Sequence, residues 1–104
     1  MGIFVYNIDW TSSRKCQCSY QGSKTWLGHW DYHKPQGESM PEKCQAKFCR
    51  EYVAVGAHVR DDDDRRLVWI IPFCQHHNKR PSTEAIELKG EVSMVGGSMT
   101  LDCA

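Results

Sequence analysis

The chain has 104 residues, enough for one domain and too few for two independent hydrophobic cores. Thirteen basic residues balance thirteen acidic ones, so the composition provides no overall attraction to nucleic acid, to an anionic membrane or to acidic ligands. No run approaches the roughly 20 apolar residues of a membrane-spanning helix, and the first residues lack the pattern of a secretory leader, so we expect a cytoplasmic protein without a membrane partner.

The first predicted element is a β-strand over residues 3–8, a run rich in β-branched and aromatic side chains. Residues 23–33 predict a short helix, because Trp26 and Trp30 stand one helical turn apart. That spacing favours packing of the two rings in the core over a platform for stacking nucleic-acid bases.

The next predicted element is a tight loop from Cys44 to Cys49, a knuckle that can direct two thiolates at one ion. Cys74 and His77 lie farther along, in residues 74–80, which predict about two helical turns before the next proline. Residues three apart share a face of a helix, so both side chains can reach the knuckle. The four residues have the Cys-x4-Cys and Cys-x2-His spacing of a tetrahedral zinc site.

Two β-rich runs, residues 51–59 and 67–71, lie between the halves of this site and predict a hairpin. Its polar tip, residues 60–66, contains four consecutive aspartates. These lack the alternation and the glycine of an EF-hand loop, so we interpret them as a solvated tip that keeps strand edges apart rather than as a calcium site. Pro72 is expected to end the second strand.

Metal coordination is the favoured interpretation of these cysteines. A reducing cytoplasm disfavours the alternative of three disulfides, which would apply to a mature secreted fragment. Zinc takes thiolate and imidazole ligands and closes at four of them when its role is structural, and three thiolates with one imidazole complete that shell. The remaining alternative, unrelated buried cysteines, leaves the ligand spacing of both pairs unexplained. The sequence therefore predicts one zinc ion in this shell.

Knuckle, hairpin and short helix, in this order, describe a treble-clef zinc finger. The sequence thus predicts an α+β fold in which residues 41–90 form the treble-clef core. Residues 1–40 add an N-terminal strand and a short helix to it. We expect residues 1–104 to form a single zinc-binding domain, because a metal that ties distant segments together stabilises a chain of this size.

Two runs in the middle of the chain also carry a resemblance to a known family. The runs GAHV (56–59) and WIIPFCQHHN (69–78) resemble small bacterial and phage members of the HNH-type treble-clef family, with a GAHV…IIPxCxxHN core. The match covers roughly half of the chain strongly. A weaker similarity to the N-terminal part of those proteins lies in CQC (16–18) and WLGHW (26–30).

The resemblance to HNH nucleases implies three catalytic positions. A strand histidine activates water, an asparagine orients that histidine, and a helix residue after the last zinc ligand helps to hold a divalent metal. His58 matches the first position, but the second falls at Trp69 and the third at Asn78. A tryptophan cannot orient an imidazole as an asparagine does, and phosphodiester cleavage needs both a base and an electrophilic metal. The resemblance therefore implies a degenerate, noncatalytic finger in which His58 is structural, with an active endonuclease using His58 as the alternative.

The cysteines outside the first site, Cys16, Cys18 and Cys103, suggest a second zinc shell. One histidine would complete it, and His29 is the preferred candidate, with His33 one turn farther along the helix as the alternate. Such a shell would fasten both ends of the chain to the predicted helix. The alternatives are three reduced cysteines or a disulfide between Cys16 and Cys103.

These observations predict a zinc-stabilised binding module. One expected partner is DNA or RNA, whose phosphates would contact four basic side chains near the hairpin and the second helix: Arg65, Arg66, Lys79 and Arg80. The alternatives are the divalent-metal-dependent HNH-type endonuclease and a zinc finger that binds another protein.

Overall fold

The structure is a computed structural model that describes residues 2–8, 26–61 and 68–96. Its strands and helices are, in chain order, β1 (Phe4–Asn7), α1 (Trp26–His33), β2 (Val55–Asp61), β3 (Val68–Phe73), α2 (Gln75–Asn78), β4 (Ile86–Glu87) and β5 (Val95–Gly96). The predicted α+β class is confirmed. The first strand and both helices lie within the predicted segments, whereas the two short strands after α2 were not predicted.

The described strands form one antiparallel sheet in the order β4-β1-β2-β3-β5. Its centre is the pair of β2 and β3, in which Ala57 lies opposite Ile71 and Val59 lies opposite Trp69. The antiparallel pairing expected of a hairpin is therefore confirmed. Both strands extend beyond their predicted ends, because β2 continues to Asp61 and β3 continues past residue 71.

The expectation that Pro72 ends the second strand is wrong. Pro72 is part of β3 and lies opposite Gly56 in the ladder. The N and O atoms of one residue share an edge of an antiparallel strand, and the Pro72 carbonyl accepts from Gln45 N at 3.0 Å, on the side away from β2. The missing N–H therefore removes no hydrogen bond between β2 and β3, which is the condition under which a strand tolerates proline.

Alternate residues of the central strands are buried on opposite faces of the sheet, as the period of a β-strand requires. On one face, Ala57, Val59, Ile71 and Phe73 pack in a cluster that includes Cys44 and Cys74. On the other face, Ile70 packs with Trp26, Trp30 and Val95. The sheet thus separates α1 from the half of the molecule that contains the predicted metal ligands.

Helix α1 lies directly on β2. A Cβ added at Gly56 would come within 2.5 Å of the Trp26 carbonyl carbon and 2.6 Å of Leu27 N, so glycine permits this close approach of two backbones. Trp30 is fully buried and donates from Nε1 to the Ser93 carbonyl at 2.9 Å. The predicted core role of the two helix tryptophans is confirmed.

Candidate metal centre

The knuckle around Cys44 and Cys49 is fixed by backbone hydrogen bonds within it and to the sheet. Cys44 N donates to the Glu51 carbonyl at 2.8 Å, and Cys49 N donates to the Ala46 carbonyl at 3.1 Å. Lys47 N donates to the Glu87 carbonyl of β4 at 2.8 Å. Gln45 N donates to the Pro72 carbonyl of β3 at 3.0 Å. The loop is therefore attached to both β3 and β4, and its thiols have a defined position relative to the sheet.

Cys74 and His77 come from the start of α2. Cys74 is the N-cap of the helix, and its Sγ accepts a hydrogen bond from His77 N at 3.5 Å. The other end of the helix is tied to β1, because Asn7 Nδ2 donates to the His77 carbonyl at 2.7 Å and to the Arg80 carbonyl at 3.0 Å. These bonds position a helix of four residues, which is too short to be stable alone.

The structure brings the four predicted ligands together, with their ligand atoms all within 4.8 Å of one another. Cys49 Sγ lies 3.9 Å from Cys74 Sγ, and His77 Nδ1 lies 3.4 Å from Cys74 Sγ and 3.8 Å from Cys44 Sγ. Zinc bonds of about 2.3 Å to sulfur and 2.0–2.1 Å to nitrogen imply tetrahedral edges of roughly 3.6–3.8 Å. The cluster therefore has the size of a zinc shell, while its cysteines are free thiols at distances far beyond a disulfide bond.

The electrostatics of the cluster favour a bound cation. Burial raises the pKa of the Cys44 thiol to about 12, so a thiolate at neutral pH needs a positive charge beside it. Burial, together with the positive charges of Arg80 and His76, lowers the pKa of His77. A lowered pKa favours the neutral imidazole, which is the form that binds metal. The three cysteines and the histidine could thus hold a metal ion, and the donor set fits zinc.

The second predicted shell lies mostly outside the described residues, because Cys16, Cys18 and Cys103 are all in undescribed segments. His29 is described and is 2% exposed, and its Nε2 donates to the Gly96 carbonyl at 2.8 Å. His33, the alternate ligand, lies beside it with ring centroids 4.5 Å apart. The second shell therefore stays a prediction.

His58, the predicted catalytic base or structural histidine, lies on the face of the sheet that α1 covers. It is 7% exposed, and the Trp26 ring contacts it edge-on with a centroid distance of 4.4 Å. Its neighbours in β2, Ala57 and Val59, lie on the opposite face with Cys44 and Cys74. His58 and the metal cluster are thus on different sides of the sheet.

Two of the four predicted phosphate-binding residues can be placed. Lys79 is exposed at the end of α2. Arg80 is half-buried, and its Nη1 forms an ion pair with Glu84 at 2.6 Å while its Nη2 lies 3.3 Å from His76 Nε2. Arg65 and Arg66 lie outside the described residues.

Sequence reasoning did not single out the residues that line the outside of the knuckle. Phe48 is 88% exposed and has a φ of 68°, and Tyr52 is 65% exposed. Lys43 Nζ lies 3.7 Å from the centroid of the Tyr52 ring. The signal that could have found this surface is a phenylalanine in the tight loop between Cys44 and Cys49, where a turn favours glycine or asparagine. Asn7 was also missed, since a lone asparagine at a strand end predicts no particular partner.

Comparison of the chain with protein-family models, with curated proteins and with solved structures finds no match. The resemblance to the HNH-type family therefore stays a prediction. Within the described ranges, no helix is long and apolar enough to cross a membrane.

Proposed function

We propose that the protein is a zinc-stabilised, noncatalytic binding module. The observation that carries this proposal is the cluster of Cys44, Cys49, Cys74 and His77, whose ligand atoms lie within 4.8 Å of one another. Four protein ligands fill a tetrahedral zinc shell, so no coordination position is left for water or substrate. A shell of this kind stabilises a fold and does not activate a reactant.

The proposed architecture is a treble clef of HNH-like form in a single domain. Its support is the chain order of knuckle, β2–β3 pair and α2, together with ligands supplied by the first and the last of these elements. The hydrogen bonds from Asn7 attach the added β1 to α2 at the same place. A bound metal would thus join the knuckle directly to α2, two segments that the sheet contacts only at its edges.

The position of His58 favours a noncatalytic module over the endonuclease alternative. His58 is buried under Trp26, on the face of the sheet opposite to the cluster and to Asn7, which holds α2. The resemblance requires His58 and the helix position at Asn78 to act on one phosphate, which is difficult from opposite faces.

Metal stoichiometry tests the proposal most directly. Native mass spectrometry of the reduced protein should find at least one zinc ion per chain, and two if the shell of Cys16, Cys18, His29 and Cys103 also exists. Cys49→Ser should lose the ion of the first shell. The matched control is His76→Ala, since His76 is exposed, adjacent to His77 and outside the cluster. A folded wild-type protein that binds no metal would refute the proposal.

A cleavage assay separates the module from the endonuclease. The module should leave plasmid and single-stranded DNA and RNA intact with magnesium or manganese present. Metal-dependent cleavage that disappears in His58→Ala would establish the alternative, because the base is one of the two groups that phosphodiester cleavage requires.

A further inference from the structure

The short segment from Lys43 to Tyr52 carries cations and exposed aromatic rings that the metal shell does not use. We name it the knuckle surface and define it by Lys43, Lys47, Phe48, Arg50 and Tyr52. Phe48 and Tyr52 are the two most exposed large hydrophobic residues of the described chain, at 88% and 65%. Single exposed apolar residues are normal on a protein surface, but two large exposed rings on one short loop indicate an interaction site.

Each ring of the knuckle surface is paired with a lysine. Lys43 Nζ lies 3.7 Å from the centroid of the Tyr52 ring, and Lys47 Nζ lies 5.3 Å from that of Phe48. Arg50 is exposed between the two rings in the sequence. Each lysine lies over one face of its ring, so a base would stack on the other face of the exposed ring.

The backbone of the knuckle separates these cations from the nearby carboxylates. Lys43 and Tyr52 are partners in an isolated antiparallel bridge, flanked by the hydrogen bonds Cys44 N to Glu51 O and Val53 N to Glu42 O. Partners in such a bridge share a face, and their neighbours belong to the opposite face. Glu42 and Glu51 therefore lie away from the face of Lys43 and Tyr52.

Two further carboxylates lie near the knuckle: Glu87 is paired with Lys47, and Glu91 Oε1 accepts from Gln45 Nε2 at 3.4 Å. Glu87 accepts from Lys47 Nζ at 3.1 Å, and this ion pair leaves Lys43 and Arg50 as the uncompensated charges beside the two rings. Within the described residues, neither of them forms an ion pair with a carboxylate. The face is thus locally cationic although the chain as a whole has no net charge.

Phe48 has an exposed ring and a backbone conformation that is unfavourable for phenylalanine. Phe48 has a φ of 68°, in the left-handed region that glycine and asparagine favour, and its side chain contributes little to the core because it is almost fully exposed. A residue that is both strained and exposed points to a role outside the fold.

From these observations we infer that the knuckle surface binds single-stranded nucleic acid. Bases stack on Phe48 and Tyr52, and the two cations without a carboxylate partner, Lys43 and Arg50, contact the phosphates. The inference rests on the proposed binding function and names its partner and its contact surface. It differs from the predicted surface at Arg65, Arg66, Lys79 and Arg80, where Arg80 is held by Glu84. Cys44 and Cys49 lie in the same loop as Phe48, so a metal held by these cysteines would also orient the surface.

The test is fluorescence anisotropy of labelled oligo-dT and oligo-U with the metal-loaded protein, measured over a range of salt. Binding of either oligomer supports the inference, and the tighter one identifies the preferred strand. Two phosphate contacts predict a log–log salt slope of about −1.4, and Lys43→Gln should reduce its magnitude by about 0.7. Phe48→Ala and Tyr52→Ala should each weaken binding by about 5- to 150-fold.

Matched variants separate stacking from loss of fold. Phe48→Tyr keeps a ring at the same position and should retain binding. Tyr32→Ala removes a 48% exposed ring from α1, away from the knuckle, and should have no effect. Zinc stoichiometry and circular dichroism of every variant are compared with those of the wild type, so that the metal-stabilised module is judged independently of the nucleic-acid contact.

Two results would overturn the inference while leaving the metal-stabilised module intact. One is a folded, zinc-loaded wild-type protein that binds neither oligomer at low salt. The other is binding that Phe48→Ala and Tyr52→Ala leave unchanged, because charge alone would then explain it.

Discussion

Phe48 has a left-handed backbone conformation, which costs free energy for any residue that carries a side chain. A side chain other than glycine in the left-handed region is disfavoured by roughly 1–2 kcal/mol, and glycine loses roughly 0.5–1 kcal/mol more than alanine through the entropy of the unfolded chain. We therefore expect Phe48→Gly to raise the free energy of unfolding by about 0.5 kcal/mol. Urea denaturation of the metal-loaded protein measures this change.

The matched variant is Phe48→Ala, which keeps the Cβ and its strain. Since the exposed ring buries little apolar surface, alanine should have nearly the stability of the wild type. If Phe48→Gly were less stable than Phe48→Ala, the Cβ would not be a source of strain at this turn.

Glu38 gives the stability a dependence on pH. Its carboxylate accepts from Ser93 N at 2.9 Å and from Ser93 Oγ at 2.7 Å, and these hydrogen bonds, the backbone one first, lower its pKa from the ordinary 4.5. A carboxyl with a lowered pKa in the folded state contributes stability above its unfolded pKa. That contribution is lost as the pH falls through the lower folded value.

We therefore expect the Glu38→Gln variant to be less stable than the wild type at neutral pH. Below about pH 4 its stability should approach that of the wild type. Thermal unfolding of both proteins over this range measures the difference. An equal difference at neutral and acidic pH would mean that the charge of Glu38 contributes nothing through Ser93.

At the scale of elements, the contact between α1 and β2 depends on the absence of a side chain at Gly56. A Cβ at Gly56 would meet the backbone of Trp26 and Leu27 at 2.5–2.7 Å, and these atoms cannot move without displacing the helix. We expect Gly56→Ala to lower the free energy of unfolding by about 1–3 kcal/mol, the range typical of overpacking. Chemical denaturation measures it.

Gly96 provides the control for this prediction. It lies in β5, and a Cβ there would meet nothing within 4 Å, while its carbonyl still accepts from His29. Gly96→Ala should therefore change the stability little. Similar losses in both variants would assign the effect to glycine itself rather than to the approach of α1.

At the scale of the whole molecule, the features that the sequence predicts are those with local signals. The ligand spacing of Cys44, Cys49, Cys74 and His77 predicts the cluster, because an ion places strict demands on its donors. The turn spacing of the helix tryptophans likewise predicts their burial.

The features that escape prediction depend on contacts between distant segments. Pro72 is compatible with β3 because the register with β2 places its missing N–H on the edge away from that strand, where its carbonyl accepts from the distant Gln45. β4 and β5 have two residues each and carry no periodicity of their own. The side of the sheet on which His58 lies follows from the strand register and from the position of α1, neither of which a motif specifies.

The position of the cluster predicts where the protein would open if the proposed metal ion were removed. The cluster joins the knuckle to α2 across 25 residues, whereas β2 and β3 are held by their own ladder in the middle of the sheet. The four residues of α2 are too few for a stable isolated helix. Loss of the ion should therefore release the knuckle and α2 before the sheet.

Hydrogen exchange with and without a chelator, under reducing conditions, measures this opening amide by amide. Chelation should abolish protection of Cys49 N and Asn78 N, which bond within the knuckle and α2, and should largely preserve that of Ala57 and Ile71 in the ladder. Cys49→Ser should show the chelated pattern without a chelator, because it lacks one ligand. Equal loss at all four amides would mean that the metal stabilises the whole fold cooperatively, and no loss at any of them would mean that the cluster does not hold the knuckle to α2.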